Sequence, residues 1–176
     1  MKNLVKTILE ASSLFLIIAL IFTAGCQQQK PDPSAKFKPI INKLEDAWNG
    51  RNIDSLDAIF APDFERSVNN QPVAKGVEGY KKAIEGLRTS FPDLKLTLDN
   101  QVYGENSVAT RWVITGTNTG PGKMPPTGKT VNYWGETIIH IVNGKITKEM
   151  VAYDSQALME QLGYTMVPPP APKKMK

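Results

Sequence analysis

The chain has 176 residues, 22% charged and 41% hydrophobic, with a formal net charge of +4, and these are the values of a globular protein with room for one domain. Lys173, Lys174 and Lys176 carry much of the positive charge, so the domain itself is near neutral, which gives no support for a nucleic-acid surface. One Cys and one His exclude an internal disulfide and a Cys/His zinc cluster, and we expect no metal site.

The N-terminus has the pattern of an export segment. Lys2 and Lys6 precede an apolar run, residues 14–22, that is too short to span a bilayer. The run ends in the letters TAGC, residues 23–26, which resemble the bacterial lipoprotein motif in which a cysteine is lipidated and becomes the new N-terminus. We therefore expect a signal peptide over residues 1–25 and lipidation of Cys26. An ordinary signal peptide and a single membrane helix are the alternatives.

Lipidation would place the domain outside the cytoplasm and anchor it to a membrane, because several acyl chains hold a protein there stably. Gln27, rather than Asp, follows the cysteine, and in enteric bacteria this favours the outer membrane. We expect residues 26–38 to form a flexible tether and residues 39–166 to form the domain. Residues 167–176, which are rich in Pro and Lys, are expected to be a disordered tail.

Helices are predicted to come first in the domain. Pro39 begins a helix that runs to Trp48 with apolar residues at helical spacing. A second short helix is predicted at 54–60, a short strand at 64–68 and a turn at Gln71-Pro72. A third helix is predicted at 77–91 and ends there because Pro92 cannot continue it.

The remainder alternates as sheet. Val108, Trp112 and Ile114 share one face of a long predicted strand, and Asn143-Gly144 is typical of a hairpin turn. Helices followed by a run of antiparallel strands predict an α+β fold, with a short C-terminal helix after Asp154. The predicted strands span 94–103, 108–119, 130–142 and 144–154.

Asp154 lies where the last strand passes the chain to the last helix. Simple alternation places Ile146, Met150, Ala152 and Asp154 on one strand face. A carboxylate at the end of a mostly apolar face can act as a general acid or base. The alternative is that Asp154 caps the helix by accepting its first free N–H groups. The local sequence leaves both open.

Several short motifs follow one another in an order that resembles a known family. They are APDF (61–64), GVEGY (76–80), FPDL (91–94), VATRW (108–112), GTNTG (116–120), PPTGK (125–129), GKI (144–146) and QLG (161–163). Together they resemble the SnoaL-like polyketide cyclases, also called ester cyclases. The resemblance implies the nuclear transport factor 2-like fold, a cone of curved antiparallel sheet closed by helices around an apolar pocket.

The resemblance also implies a chemistry. In the family, an aspartate at the end of the last strand moves a proton during the intramolecular aldol closure of a polyketide methyl ester, and Asp154 matches that position. An acidic C–H flanked by carbonyls needs only a weak base in a dry pocket, so no cofactor is expected. Ser67 and Asn118 stand where the family often has His, and Met150 where it often has Trp. The amide of Asn118 could still donate to an oxyanion.

Aromatic strand residues are candidates to line the implied pocket, although such residues are also common in a plain core. Arg111 is expected to pair with a carboxylate such as Glu136 or Glu149, or to reach the ligand. His140 is expected to be a packed or edge histidine. The expected ligand-binding residues are Asn118, Trp112, Trp134, Met150 and Tyr153, with Tyr133 as a further candidate.

The sequence thus predicts a lipid-anchored SnoaL-like protein that binds a small, apolar, carbonyl-bearing molecule. It is expected to perform cofactor-free chemistry of the cyclase or isomerase type through Asp154. One alternative is a ligand-binding lipoprotein without catalysis, and another is an interaction module that dimerises through its sheet. We expect a homodimer or a larger homo-oligomer.

Overall fold

The computed structural model describes residues 32–123 and 125–167. The predicted signal peptide, Cys26 and residues 168–176 of the predicted tail lie outside this part. No helix within it is long and apolar enough to cross a bilayer. The elements are α1 (Pro33–Trp48), a 3-10 helix (Ile53–Ala58), β1 (Phe60–Val68), β2 (Gln71–Lys75), α2 (Gly76–Ser90), β3 (Lys95–Tyr103), β4 (Ser107–Thr117), β5 (Thr130–Val142), β6 (Lys145–Tyr153) and α3 (Ser155–Gln161).

The six strands form one curved open sheet in the order β2-β1-β6-β5-β4-β3, and the predicted α+β fold is confirmed. Neighbouring strands are antiparallel except β1 and β6, which pair in parallel. The expectation of a purely antiparallel sheet is therefore corrected. Parallel strands need a long connection between them, and here the connection contains α2 and four intervening strands.

The first helix begins earlier than predicted. It starts at Pro33 and contains Pro39 in its interior, so residues 33–38 belong to the domain and not to the predicted tether. Proline inside a helix removes one backbone hydrogen bond. The extra turns bury Phe37 completely in the core, and burial of a Phe side chain contributes about 1.5–3 kcal/mol, which offsets that loss.

The predicted turn at Gln71-Pro72 is also wrong, because both residues lie in β2. The turn is formed by Asn69 and Asn70, whose φ angles are +46° and +62°. Asparagine tolerates this left-handed region better than most residues. Pro72 fits its strand because β2 is at the edge of the sheet, where a missing N–H leaves no gap in a ladder.

Two polar side chains fasten the helices to the sheet. The Asn49 amide donates to the Leu96 carbonyl and accepts from the Leu96 N–H, both at 2.9 Å. On α2, Arg88 donates to the carbonyls of Trp48 and Leu94 at 3.0 and 3.2 Å. These bonds hold α1 and α2 over the concave face of the sheet, and the site lies in the space between them.

Candidate functional site

A cavity of about 860 Å³ lies between the helices and the concave face of the sheet. This volume falls within the range of small-molecule binding sites. Helices α1, α2 and α3 and all six strands, β1–β6, contribute to its wall. Its lining is largely apolar and includes Ile41, Leu44, Leu96, Ile114, Val151 and Leu162.

A bulge in β6 decides which of its side chains reach the cavity. Ile141 of β5 pairs with Ile146 of β6, but the next residue back along β5, His140, pairs with Lys148. Thr147 is therefore an extra residue in β6. One extra residue turns every later side chain of a strand to the opposite face of the sheet.

The bulge overturns the predicted alternation of β6. Glu149, Val151 and Tyr153 line the cavity, whereas Met150 and Asp154 do not. Met150, predicted to bind the ligand, lies instead in phase with the outer face of the sheet. Tyr153, also predicted to bind the ligand, is in the cavity lining.

Asp154 is an exposed residue that caps α3. Its Oδ1 accepts the Ala157 N–H at 2.9 Å, which satisfies one of the free donors of the first helical turn. Its predicted position at the end of a pocket-facing strand face is therefore wrong. The alternative reading, a helix cap, describes its contacts.

The carboxylate that does reach the cavity belongs to Glu149. Its Oε2 accepts from Arg66 Nε at 2.6 Å, and its Oε1 accepts from the Tyr80 hydroxyl at 3.1 Å. The Tyr80 oxygen in turn accepts from Trp48 Nε1 at 2.9 Å. These four residues, which we call the buried polar cluster, all line the cavity. The Arg66 and Glu149 side chains are only 12% and 8% exposed.

The electrostatics of the buried polar cluster keep Tyr80 and Arg66 protonated. Burial, together with the negative charge of Glu149, raises the pKa of Tyr80 well above its ordinary value. Burial acts to lower the pKa of Arg66, but the charge and hydrogen bond of Glu149 together with the nearby Tyr80 and Tyr153 outweigh it, and the pKa of Arg66 is raised. An ion pair of this kind is stable in a protein when both charges are also hydrogen-bonded.

Sequence reasoning considered Glu149 only as a partner for Arg111, and the structure gives that role to Arg66. Arg111 instead pairs with Asp99, and its guanidinium lies 4.9 Å from the centre of the Trp134 ring. Both Arg111 and Trp134 are on the outer face of the sheet. Trp134 is 54% exposed, so its predicted place in the pocket wall is wrong.

An aromatic group forms one part of the cavity wall. Trp112 lies 5.9 Å from Tyr133 and 6.3 Å from Tyr153, measured between ring centres. The two tyrosine rings are 5.6 Å apart. Trp112 donates its indole N–H to Thr137 Oγ1 at 2.9 Å, which fixes the ring in the cavity wall that it lines.

The hydroxyls of Tyr133 and Tyr153 have no hydrogen-bond partner among the described residues. The one fully buried side-chain polar atom without a partner in this part of the chain is Ser55 Oγ, so neither phenolic oxygen is sealed within protein. Both residues line the cavity. Burial raises the pKa of Tyr133, which keeps its hydroxyl available as a donor.

Asn118 lies at the cavity, as predicted, but its amide is occupied. Nδ2 donates to the Ser90 carbonyl at 3.2 Å. Oδ1 accepts from the Thr127 N–H at 2.8 Å and from the Thr127 hydroxyl at 3.1 Å. These bonds tie the loop after β4 to the end of α2, so Asn118 shapes the cavity edge.

The remaining candidates lie outside the cavity wall. Ser67 is absent from the lining although its neighbours Arg66 and Val68 belong to it, and His140 does not line it either. No three His, Cys, Asp or Glu side chains lie close enough to share a metal ion within residues 32–123 and 125–167. The polar residues that line the cavity include the buried polar cluster, Tyr133 and Tyr153, and also Thr110 and Thr137.

Comparisons with known proteins identify the fold and the family. The family model for the SnoaL-like polyketide cyclases matches residues 38–162. A protein from Jannaschia sp. CCS1 assigned as a SnoaL-like polyketide cyclase is 21% identical with a TM-score of 0.69, and the match covers 80% of this chain and 99% of that one. TsrD from Streptomyces laurentii is 26% identical with a TM-score of 0.66, covering 73% and 96%.

A third solved structure, AclR from Streptomyces galilaeus, which is assigned as a hydroxylase, is 24% identical with a TM-score of 0.66, and the match covers 78% of this chain and 87% of AclR. No curated protein matches the chain. The structural likenesses establish the shared fold, and the family model spans most of the domain. The chain belongs to the SnoaL-like polyketide cyclase family.

Proposed function

We propose that the domain binds a small, apolar, carbonyl-bearing molecule in its cavity and carries out cyclase or isomerase chemistry without a cofactor. Membership of the SnoaL-like family supports the reaction class. The observation that carries the ligand class is the pair of free phenolic hydroxyls, Tyr133 and Tyr153, in a largely apolar wall.

The chemistry of such a wall selects the ligand. An apolar body gains free energy by leaving water for the cavity, at roughly 25 cal/mol per Å² of apolar surface. A phenol in an apolar site is best satisfied by an acceptor that has no competing donor, and a ketone or ester carbonyl fits this description. The same donors would stabilise an oxygen on which negative charge develops during proton transfer.

A matched pair of probes tests this ligand class. We expect 2-tetralone to bind more tightly than tetralin, which has the same rings without the carbonyl. Each of Tyr133→Phe and Tyr153→Phe should weaken 2-tetralone binding about threefold to tenfold, the value of one hydrogen bond, and leave tetralin unaffected. Quenching of Trp48 and Trp112 fluorescence, both in the wall, measures the affinities. Equal losses for the two probes would mean that the tyrosines act by packing alone.

A ligand-binding protein without catalysis is the second candidate, and one observation favours it. The Glu149 carboxylate is already engaged by Arg66 at 2.6 Å, an arrangement that also serves purely structural purposes. The presence or absence of proton exchange on a bound ketone separates the two candidates.

We also propose that the protein is exported and held on a membrane, the outer membrane in a Gram-negative cell, by lipid on Cys26. The support is the TAGC motif after a short apolar run. In a bacterial host supplied with radiolabelled palmitate, the full chain should carry label in the membrane fraction. Cys26→Ser should lose the label and remain uncleaved. A labelled Cys26→Ser variant, or an unlabelled wild type, would contradict the anchor.

A further inference from the structure

We propose that Glu149 is the acid–base residue of the cavity and that Arg66 holds the oxygen on which charge develops. This assignment rests on the proposed function and replaces the catalytic role predicted for Asp154. Tyr80 is the positioning residue that fixes the carboxylate.

Glu149 is the buried carboxylate of the cavity wall. Glu45 and Glu149 are the carboxylates of the described residues that line the cavity. Glu45 is half-buried, and its Oε1 lies 3.4 Å from the Leu98 N–H at the edge of the sheet. Glu149 is buried on the concave face of the sheet, on the same face of β6 as Tyr153. It is thus the carboxylate that an enclosed ligand would meet.

The Glu149 carboxylate is fixed by hydrogen bonds and still has lone pairs free to accept a proton. An ionised carboxylate has about four lone-pair sites, and Glu149 uses one on Oε2 for Arg66 and one on Oε1 for Tyr80. Free lone pairs remain on both oxygens, and the side chain borders the cavity. The two bonds fix the orientation of the group, which a proton acceptor needs.

Part of the Arg66 guanidinium makes no hydrogen bond to the described residues. Arg66 donates Nε to Glu149, and its two terminal nitrogens have no hydrogen-bond partner within the described residues. The faces of Trp48 and Tyr80 lie 5.7 and 5.4 Å from its central carbon and hold the group in place. A carbonyl oxygen beside Glu149 can therefore receive N–H donors from the same guanidinium that pairs with the base.

This arrangement fits the charge movement of an aldol closure. Glu149 takes a proton from the carbon next to a ketone, and the C–H electron pair becomes the enolate while the carbonyl π pair moves onto oxygen. Negative charge thus passes from Glu149 to the enolate oxygen, and both lie beside Arg66, so the cation remains paired throughout. A neighbouring cation ordinarily makes a carboxylate a weaker base. Here Arg66 stabilises the enolate oxygen equally, and this offsets the loss.

The second half returns the proton. The enolate carbon forms a C–C bond to a second carbonyl carbon of the same ligand, whose π pair becomes an alkoxide. The alkoxide then takes the proton from Glu149, which is an anion again at the end. Every atom comes from one ligand, and no oxidant, reductant or metal takes part. The phenols of Tyr133 and Tyr153 are the donors available for the second carbonyl.

The probe that tests the assignment is 1-phenylhexane-1,5-dione, an apolar diketone whose methyl carbon can close on the benzoyl carbon to form a six-membered ring. Exchange of its methyl protons in D₂O, followed by ¹H NMR, reports the first step whether or not the ring closes. We expect Glu149→Gln to lower the exchange rate by about 100-fold or more, the usual contribution of a general base, with binding of the probe retained. Asp154→Asn makes the same change at the exposed cap and should exchange as wild type does.

A second variant keeps the test decisive if Glu149→Gln does not fold. Glu149→Asp preserves the ion pair but withdraws the carboxylate by one methylene, and kcat should fall at least tenfold while KM stays within about threefold. Wild-type exchange in a folded Glu149 variant, or its loss in Asp154→Asn, would overturn the assignment. Wild type that binds the diketone without exchanging it would also overturn it and leave the binding function standing. Wild type that binds neither the diketone nor 2-tetralone would overturn the proposed function itself.

Discussion

Arg66→Met is expected to destabilise the domain by about 3 kcal/mol, because it leaves the Glu149 carboxylate buried without its counter-charge. The Arg66 and Glu149 side chains are only 12% and 8% exposed, so water cannot replace the lost partner fully. Glu149→Gln should cost a similar amount for the converse reason. Urea unfolding monitored by circular dichroism gives both values.

The double variant separates a charge effect from a packing effect. Arg66→Met with Glu149→Gln removes both charges, and the combined loss should be smaller than the two single losses together by about 2 kcal/mol. The Arg111–Asp99 pair on the outer face is the control. Its side chains are 40% and 48% exposed, and its coupling should be at most about 1 kcal/mol. Additive losses at Arg66 and Glu149 would show that the pair contributes nothing as a pair.

Gly135→Ala is expected to have the second large effect. A Cβ at this position of β5 would lie 2.3 Å from Cζ2 of Trp112 and 2.7 Å from the carbonyl oxygen of Ala152. Neither neighbour can yield easily, since one is a rigid ring bonded to Thr137 and the other is strand backbone. Overpacking of this kind costs about 1–3 kcal/mol. Trp112 should move into the cavity, so 2-tetralone should bind more weakly.

Gly86→Ala is the matched control for this change. A Cβ at Gly86 meets nothing within 4 Å, and the residue lies inside α2, where Ala is favoured over Gly by up to about 1 kcal/mol. This variant should be as stable as wild type or more so. Thermal unfolding and the fluorescence titration measure both variants. A Gly135→Ala protein with wild-type stability and affinity would contradict the close packing of Trp112 and Ala152 against Gly135.

The sequence predicts those parts of the fold in which alternation is unbroken. In β4 the predicted inward face is correct, because Val108, Trp112 and Ile114 are all buried. The pairing of β4 with β5 has no register shift, so counting by two residues places every side chain correctly. The order of helices and strands, and with it the α+β class, could therefore be predicted from local pattern.

The candidate site could not be predicted in the same way, since it depends on one irregular residue. Thr147 is extra in β6, and nothing in its local sequence marks a bulge. Counting without it places Asp154 on the pocket face of β6 and Glu149 on the opposite face, the reverse of the structure. Arg66 and Glu149 are 83 residues apart and meet because β1 and β6 pair in parallel, a contact that local patterns do not reveal.

Pro39 shows the same limit at the level of local propensity. Proline is favoured in the first turn of a helix, and the sequence therefore predicts that α1 starts at Pro39. The structure extends the helix to Pro33 because Phe37 is fully buried. Packing against the rest of the domain outweighs the preference of a single residue, and packing is not visible until the fold is known.

The proposed function requires that the phenols of Tyr133 and Tyr153 hold a ligand carbonyl in a largely apolar cavity. The ¹³C resonance of carbonyl-labelled 2-tetralone tests it most directly, because hydrogen bonding to the oxygen moves this resonance downfield. We predict that the bound resonance lies at or downfield of its position in water, and that it moves upfield in the Tyr133→Phe/Tyr153→Phe variant. A bound resonance in wild type that lies upfield, near its value in an apolar solvent, would contradict the account.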